Sequence, residues 1–157
     1  MATFPPGGAA TLITCAVSGG RDEVEARAVA RAVVSSDLLK AAVHGADPNW
    51  GRIAMAVGNA VIGRAETLEA AGLTAEEARA RAGRPVELDP ARLQIDIEGT
   101  TVFAGLPLDY DEAALSGSMK HGEVTIRVDL GLGSGTGEAF GCDLTQEYVI
   151  ENSEYST

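Results

Sequence analysis

His44 stands directly before the segment Gly45-Ala46-Asp47-Pro48-Asn49-Trp50-Gly51-Arg52. An imidazole titrates near neutrality and could act as a general base, or it could simply cap a turn or face water. Arg52, one turn into the helix expected here, could hold a substrate carboxylate through its two-pronged guanidinium. It could equally tie the turn to a neighbouring segment. Asp109 and Asp111, or Glu147, Glu151 and Glu154, offer carboxylates for acid–base work, but nothing in their spacing sets two of them opposite one another. A solvated face is the simpler reading of each. The run Gly131-Leu132-Gly133-Ser134-Gly135-Thr136-Gly137 invites a phosphate-loop reading. It matches neither G-x-x-x-x-G-K-[ST] nor the G-x-G-x-x-G register, and it lies between two expected strands, so a flexible hairpin connection is expected. Cys15 and Cys142 lie far apart in sequence with no Cys-x-x-Cys or His cluster nearby, which suits reduced structural thiols and not a zinc site.

These groups must be placed by the elements around them. Residues Ala10 to Ser18 read as a strand, with Ile13, Cys15 and Val17 on one side. Asp22 to Val34 is the clearest helix: Glu23, Glu25, Arg27 and Arg31 mark its wet side, and Val24, Ala28 and Ala32 repeat on another. Glu23 and Arg27 also have the i,i+4 spacing and order of a supporting ion pair. Ser35-Ser36-Asp37 ends it, and the apolar run Leu38 to Val43 is expected to be a strand. Asp47 followed by Pro48 predicts an N-cap and first helical residue, with the helix running towards Ile62 and Trp50 packing its start into the core. Thr74-Ala75-Glu76-Glu77 has capping-box spacing and predicts a short helix. Leu93 to Ile97 and Thr100 to Ala104 read as hairpin partners, and Asp109 to Met119 as a short helix. Glu123 to Leu130 alternates strictly and is the strongest strand signal. Glu138 to Leu144 reads as its successor, with a last polar helix after Thr145. Without a regular βαβ alternation, the fold class is α+β, a mixed sheet with packed helices. Residues 1–9 read as a loose lead-in and 10–157 as one domain.

Composition narrows the partners. The chain has 157 residues, 45 % of them hydrophobic, with 12 Lys+Arg against 23 Asp+Glu and a formal net charge of −11. That balance argues against nucleic acid or an anionic membrane surface, both of which need basic residues to neutralise phosphate. No segment approaches the ~18 consecutive apolar residues of a membrane span, and Met1 to Gly20 lacks a basic start followed by an apolar run. The expectation is a cytoplasmic protein. Aromatics make up only 4 %, so its core must be built from Ala, Val, Leu and Ile.

Several blocks, in order, resemble one family. His44-Gly45-Ala46 with Asp47-Pro48-Asn49-Trp50-Gly51-Arg52 is similar to the signature of the ornithine acetyltransferase/glutamate N-acetyltransferase family of arginine biosynthesis. Before it, Thr11-Leu12-Ile13-Thr14, an Ala/Glu/Arg helix and Ser36-Asp37-Leu38-Leu39-Lys40 have the family's order and spacing. After it come Val102-Phe103, Gly105, Pro107-Leu108-Asp109-Tyr110-Asp111-Glu112, Val128-Asp129-Leu130-Gly131 and Gly141-Cys142-Asp143-Leu144-Thr145. The end, Tyr148 to Thr157, resembles the family's carboxyl terminus. The segment from about Glu66 to Pro85 is additional to the family pattern.

The resemblance implies a cofactor-free acetyl transfer. In the family a precursor cuts itself between Ala and Thr, and the freed Thr takes an acetyl group from N-acetylornithine, and often from acetyl-CoA, before passing it to glutamate. The likeness covers only the carboxyl-terminal part of the second chain. The nucleophile is therefore expected on a missing portion of the enzyme, which would be this chain's partner. Ala10-Thr11 repeats the cleavage dipeptide, yet its distance to Asp47 matches a later Gly-Ala-Thr-Lys block, so no catalytic residue is assigned. That block normally carries an acidic residue and a lysine where this chain has Gly8 and Leu12. Asn152 and Thr157 match the tail residues that contact the amino-acid substrate. An alternative reading is a non-catalytic remnant that keeps the fold as an amino-acid-binding or interaction module.

Overall fold

The computed structural model describes residues 11–143. The expected lead-in, the helix after Thr145, Gly8 and the substrate-binding candidates Asn152 and Thr157 lie outside these residues. The element order is β1 (Leu12–Gly20), α1 (Glu23–Ser35), α2 (Asp37–His44), α3 (Trp50–Gly58), α4 (Ala65–Ala70), α5 (Ala75–Arg81), β2 (Gln94–Ile97), β3 (Thr100–Ala104), α6 (Glu112–Ser118), β4 (Glu123–Asp129) and β5 (Gly135–Cys142). This is the α+β class, built on one mixed sheet of order β3-β2-β4-β1-β5.

Local chemistry explains most boundaries. The Asp22 carboxylate accepts from the Glu25 N–H at 3.0 Å and caps α1. The expected Glu23–Arg27 ion pair closes at 2.6 Å. Ser36 both ends α1, its N–H donating to Val33 O, and opens α2, its hydroxyl accepting from Leu39 N–H. The Leu38–Val43 run is therefore a helix and not the expected strand. The apolar residues follow the helical period: Leu39, Ala42 and Val43 are buried while Leu38 and Ala41 are exposed. A six-residue, mostly apolar run without a turn signal does not distinguish strand from helix; the serine cap does.

The next helix also differs from expectation. Asn49, not Asp47, caps α3, its side-chain oxygen accepting from Arg52 N–H at 3.1 Å, and Pro48 stays outside the helix. Asp47 instead accepts from the Asn49 amide at 3.1 Å. α3 ends at Gly58, well before Ile62, because Ile62 joins a short ladder with the returning chain. Ile62 N–H donates to Arg84 O, Gly83 N–H to Ile62 O, and Val86 N–H to Ala60 O. That ladder closes the base of the segment that carries α4 and α5. The predicted capping box is formed, with Thr74 and Glu77 exchanging both bonds. Arg81 ties the segment to Asp22 at 2.8 Å.

The hairpin of β2 and β3 turns at Glu98 and Gly99, both at positive φ (48° and 78°), as a tight two-residue hairpin requires. β4 alternates buried and exposed residues as its sequence does. The connection from β4 to β5 is not a hairpin. β1 lies between them, parallel to β4 and antiparallel to β5. The glycine run therefore crosses the end of β1, where Leu132 and Gly133 N–H groups both donate to Gly19 O, at 2.7 and 3.0 Å.

The core lies between the sheet and the helices. Ile13, Cys15 and Val17 of β1, Val124, Ile126 and Val128 of β4, and Ile95 and Ile97 of β2 meet Val29 and Val33 of α1 and Ile53 and Val57 of α3. Alternation along the same strands puts Thr14, Ala16, Thr125, Arg127, Glu138 and Phe140 on the opposite face. Phe140 there is 62 % exposed.

Candidate substrate site

The signature segment folds into a tight corner between α2 and α3. Ala46 adopts φ 51°, and Asp47 N–H reaches back to Ala42 O at 2.9 Å, ending α2. Trp50 packs on Phe103 of β3, ring centroids 5.2 Å apart and tilted by 31°, as expected of a tryptophan that seats the helix start. The Tyr110 hydroxyl donates to Pro48 O at 3.3 Å. Burial, then the charges of Glu112 and Asp47, push this phenol up. Arg52 donates to Leu38 O at 2.8 Å. Of its two readings, the structure supports the structural tie to a neighbouring segment.

The other carboxylate candidates separate in the same way. Asp111 caps α6, accepting from Ala114 N–H at 3.0 Å, while Glu147, Glu151 and Glu154 lie outside the described residues. Among the described residues no group of three His, Cys, Asp or Glu side chains could hold a metal ion. No helix among them is long and apolar enough to cross a membrane.

The structure gathers polar groups at a second corner, where β1 begins and β5 ends. Asp143 is 1 % exposed. Its carboxylate accepts from Thr11 N–H at 2.9 Å, and its own N–H donates to Thr11 O at 3.0 Å. His44, the last residue of α2, brings Nδ1 to 3.4 Å from the Asp143 carboxylate. Beside them Cys142 pairs across the strands with Leu12. Burial pushes the Cys142 thiol up, with Lys40 opposing and Asp143 adding to the shift. Sequence reasoning singled out His44 and Thr11 separately and left Asp143 in a matched block without a role. Its signal was positional: an acid at the buried end of a strand must be satisfied by backbone N–H groups and polar side chains around it.

This corner is the point from which the tail bearing Asn152 and Thr157 departs. It also holds Leu12, the position at which the family block normally carries lysine. Thr11 is fixed through both backbone groups. The corner thus anchors β1, β5 and α2 at the root of the tail. A shallow polar depression of about 170 Å³ lies on the open sheet face, lined by Ser18, Gln94, Asp96, Arg127 and Asp129 among others.

Comparison with known proteins gives a consistent picture. A model of the ArgJ family matches residues 6–157. The arginine biosynthesis bifunctional protein ArgJ of Deinococcus radiodurans is 47 % identical over 150 residues, covering 96 % of this chain and 32 % of that protein. A glutamate N-acetyltransferase of Methanopyrus kandleri is 42 % identical over 154 residues, covering 96 % of this chain and 34 % of that protein. The chain thus spans about a third of the length of these curated relatives. The crystal structure of the arginine biosynthesis bifunctional protein ArgJ from Bacillus halodurans aligns with a TM-score of 0.75 at 34 % identity, covering 94 % of this chain and 59 % of that one.

Proposed function

Because this chain belongs to the ArgJ family, we propose that it is the carboxyl-terminal region of a glutamate N-acetyltransferase/ornithine acetyltransferase, working with a nucleophile-bearing remainder. The observation that carries this reading is coverage: the match takes in nearly all of this chain and about a third of the D. radiodurans relative. In the proposed reaction a threonine hydroxyl of the remainder attacks the acetyl carbonyl of N-acetylornithine, giving its proton to a nearby base. Ornithine leaves, and the amine of glutamate then attacks the acetyl ester and restores the hydroxyl. Oxyanion donors would stabilise each tetrahedral intermediate. This chain would contribute Asn152 and Thr157, whose amide and hydroxyl can both donate to a carboxylate and accept from an ammonium. The substrates are small amino acids, in keeping with an acidic chain, and the reaction would run in the cytoplasm.

The remainder would dock on the open sheet face, where Thr14, Thr125 and the exposed Phe140 are neighbours across three strands. The portion of the D. radiodurans relative that this chain does not span is the test partner. Co-elution as a stable complex is expected, and Phe140→Glu should disrupt it while leaving the isolated chain folded. Failure of the wild-type chain to associate would contradict the reading.

One observation favours the second reading, a binding module without catalysis. Leu12 stands where the family block has lysine, next to Cys142 and Glu123. On that reading, calorimetric titration with ornithine, N-acetylornithine and glutamate gives saturable binding that Asn152→Ala removes, yet the assembled complex transfers no acetyl group.

A further inference from the structure

Between α1, the end of α3 and the stretch around α4 lies a groove of about 710 Å³. That is within the roughly 300–1,000 Å³ of small-molecule sites. It is remote in sequence from the tail and belongs to none of the chemistry above. Its floor includes Ala28, Ala32, Met55 and Leu68, and its charged lining residues are Arg27 and Arg31. In a chain with 23 acidic and 12 basic residues, both charged residues of the lining are basic. Met55 is 44 % exposed, which leaves apolar surface open on the groove floor.

The two arginines differ. Arg27 is held by Glu23 at 2.6 Å. Arg31, one turn on, pairs with no carboxylate among the described residues, and its guanidinium lies beside Gly63. One available guanidinium fork suits one carboxylate, held by two parallel hydrogen bonds.

We propose that this groove binds a small amphipathic monocarboxylate, with its carboxylate on Arg31 and its apolar body on the floor shared by α1, α3 and α4. The site is formed in part by α4, which supplies Leu68. It would let an organic acid bind independently of any acetyl transfer at the tail.

Calorimetry of the full chain with octanoate tests this, with octylamine and octyl phosphate as comparison ligands. Saturable one-to-one binding of octanoate is expected. Arg31→Ala and Met55→Glu, both exposed positions, should each weaken it at least tenfold with unchanged circular dichroism. Asn152→Ala should leave it unaltered, which separates this site from the proposed substrate site. Absence of saturable binding overturns the proposal, as does retention of affinity within twofold in either variant. Equal affinity for octylamine would show that the carboxylate is not recognised, and tighter binding of octyl phosphate would assign the site to phosphates; either result overturns it too.

Discussion

Cys15 and Cys142 are both free thiols on neighbouring strands, and their surroundings set different reactivities. Cys15 points into the core beneath α1. Burial, with a smaller contribution from Glu138, pushes its thiol up from 9.0 to about 12. Cys142 is half-buried at the open corner, within reach of solvent, and burial pushes its thiol up with Lys40 opposing. A thiol reagent at neutral pH should therefore label Cys142 in the folded chain and reach Cys15 only on unfolding. Labelling of both at the same rate would contradict this assignment. The folded Cys15 thiol holds its proton more tightly than the unfolded one, so its contribution to stability is present below 9.0 and lost as pH rises towards about 12. Cys15→Ala should flatten the alkaline fall of Tm even as it lowers stability near neutrality through a small cavity. At this scale the sequence was informative about Trp50 and Arg52, whose neighbours are close in the chain or in the matched blocks. It was not informative about Asp143, because its neighbours Thr11 and His44 come from the start of β1 and the end of α2, far away in sequence.

At the scale of elements, β5 is pressed against α1 through its glycines. A Cβ at Gly137 would stand 2.6 Å from Arg27 N, and one at Gly141 2.7 Å from Val34 O. Both contacts are with backbone, which a rotamer change cannot relieve. Gly137→Ala should cost about 2–3 kcal/mol, the upper range for forcing an extra methyl into a packed interface, and thermal unfolding measures it. Ser36→Ala should cost about 1 kcal/mol by removing the cap on which α2 begins. A loss confined to α2 amide protection would identify the cap as the cause. In α5 the Thr74 backbone N–H holds the Glu77 carboxyl below its ordinary range. Its help to the capping box is thus present above the ordinary carboxylate range and lost as pH falls through the lowered value. Amide exchange in α5 should accelerate in acid, and Glu77→Gln should remove that pH dependence.

These elements also explain what the chain discloses before it is folded. β4 is readable because one of its faces is buried and the other is not, so Glu123 to Asp129 records its surroundings residue by residue. The hairpin and the capping box are readable because all their partners are local. The α2 helix is not, because Leu38 to Val43 is apolar enough to satisfy either period and only Ser36 decides. The glycine run reads as a loose hairpin because nothing local shows that β1 will insert between β4 and β5. Its alternation at Gly135, Gly137 and Gly141, with Ala139 between, is the trace of a strand face on which a helix backbone lies.

At the scale of the whole molecule, one sheet carries helices and its core on one side and Thr14, Arg127, Glu138 and Phe140 on the other. The helical side holds the chain together with few aromatic rings, as its composition required. The open side is where, under the proposed function, the nucleophile-bearing remainder would dock. The signature corner at Asp47 to Arg52 is accounted for by caps and ring packing; under the proposed function, the chemistry would come from the tail and from a partner. The most direct measurement is acetyl transfer from N-acetylornithine to glutamate, with this chain alone and with the portion of the D. radiodurans relative that it does not span. The account predicts no transfer by the chain alone, transfer by the pair, and at least a tenfold loss with Asn152→Ala. Transfer by the chain alone, abolished by Thr11→Ala, would contradict it.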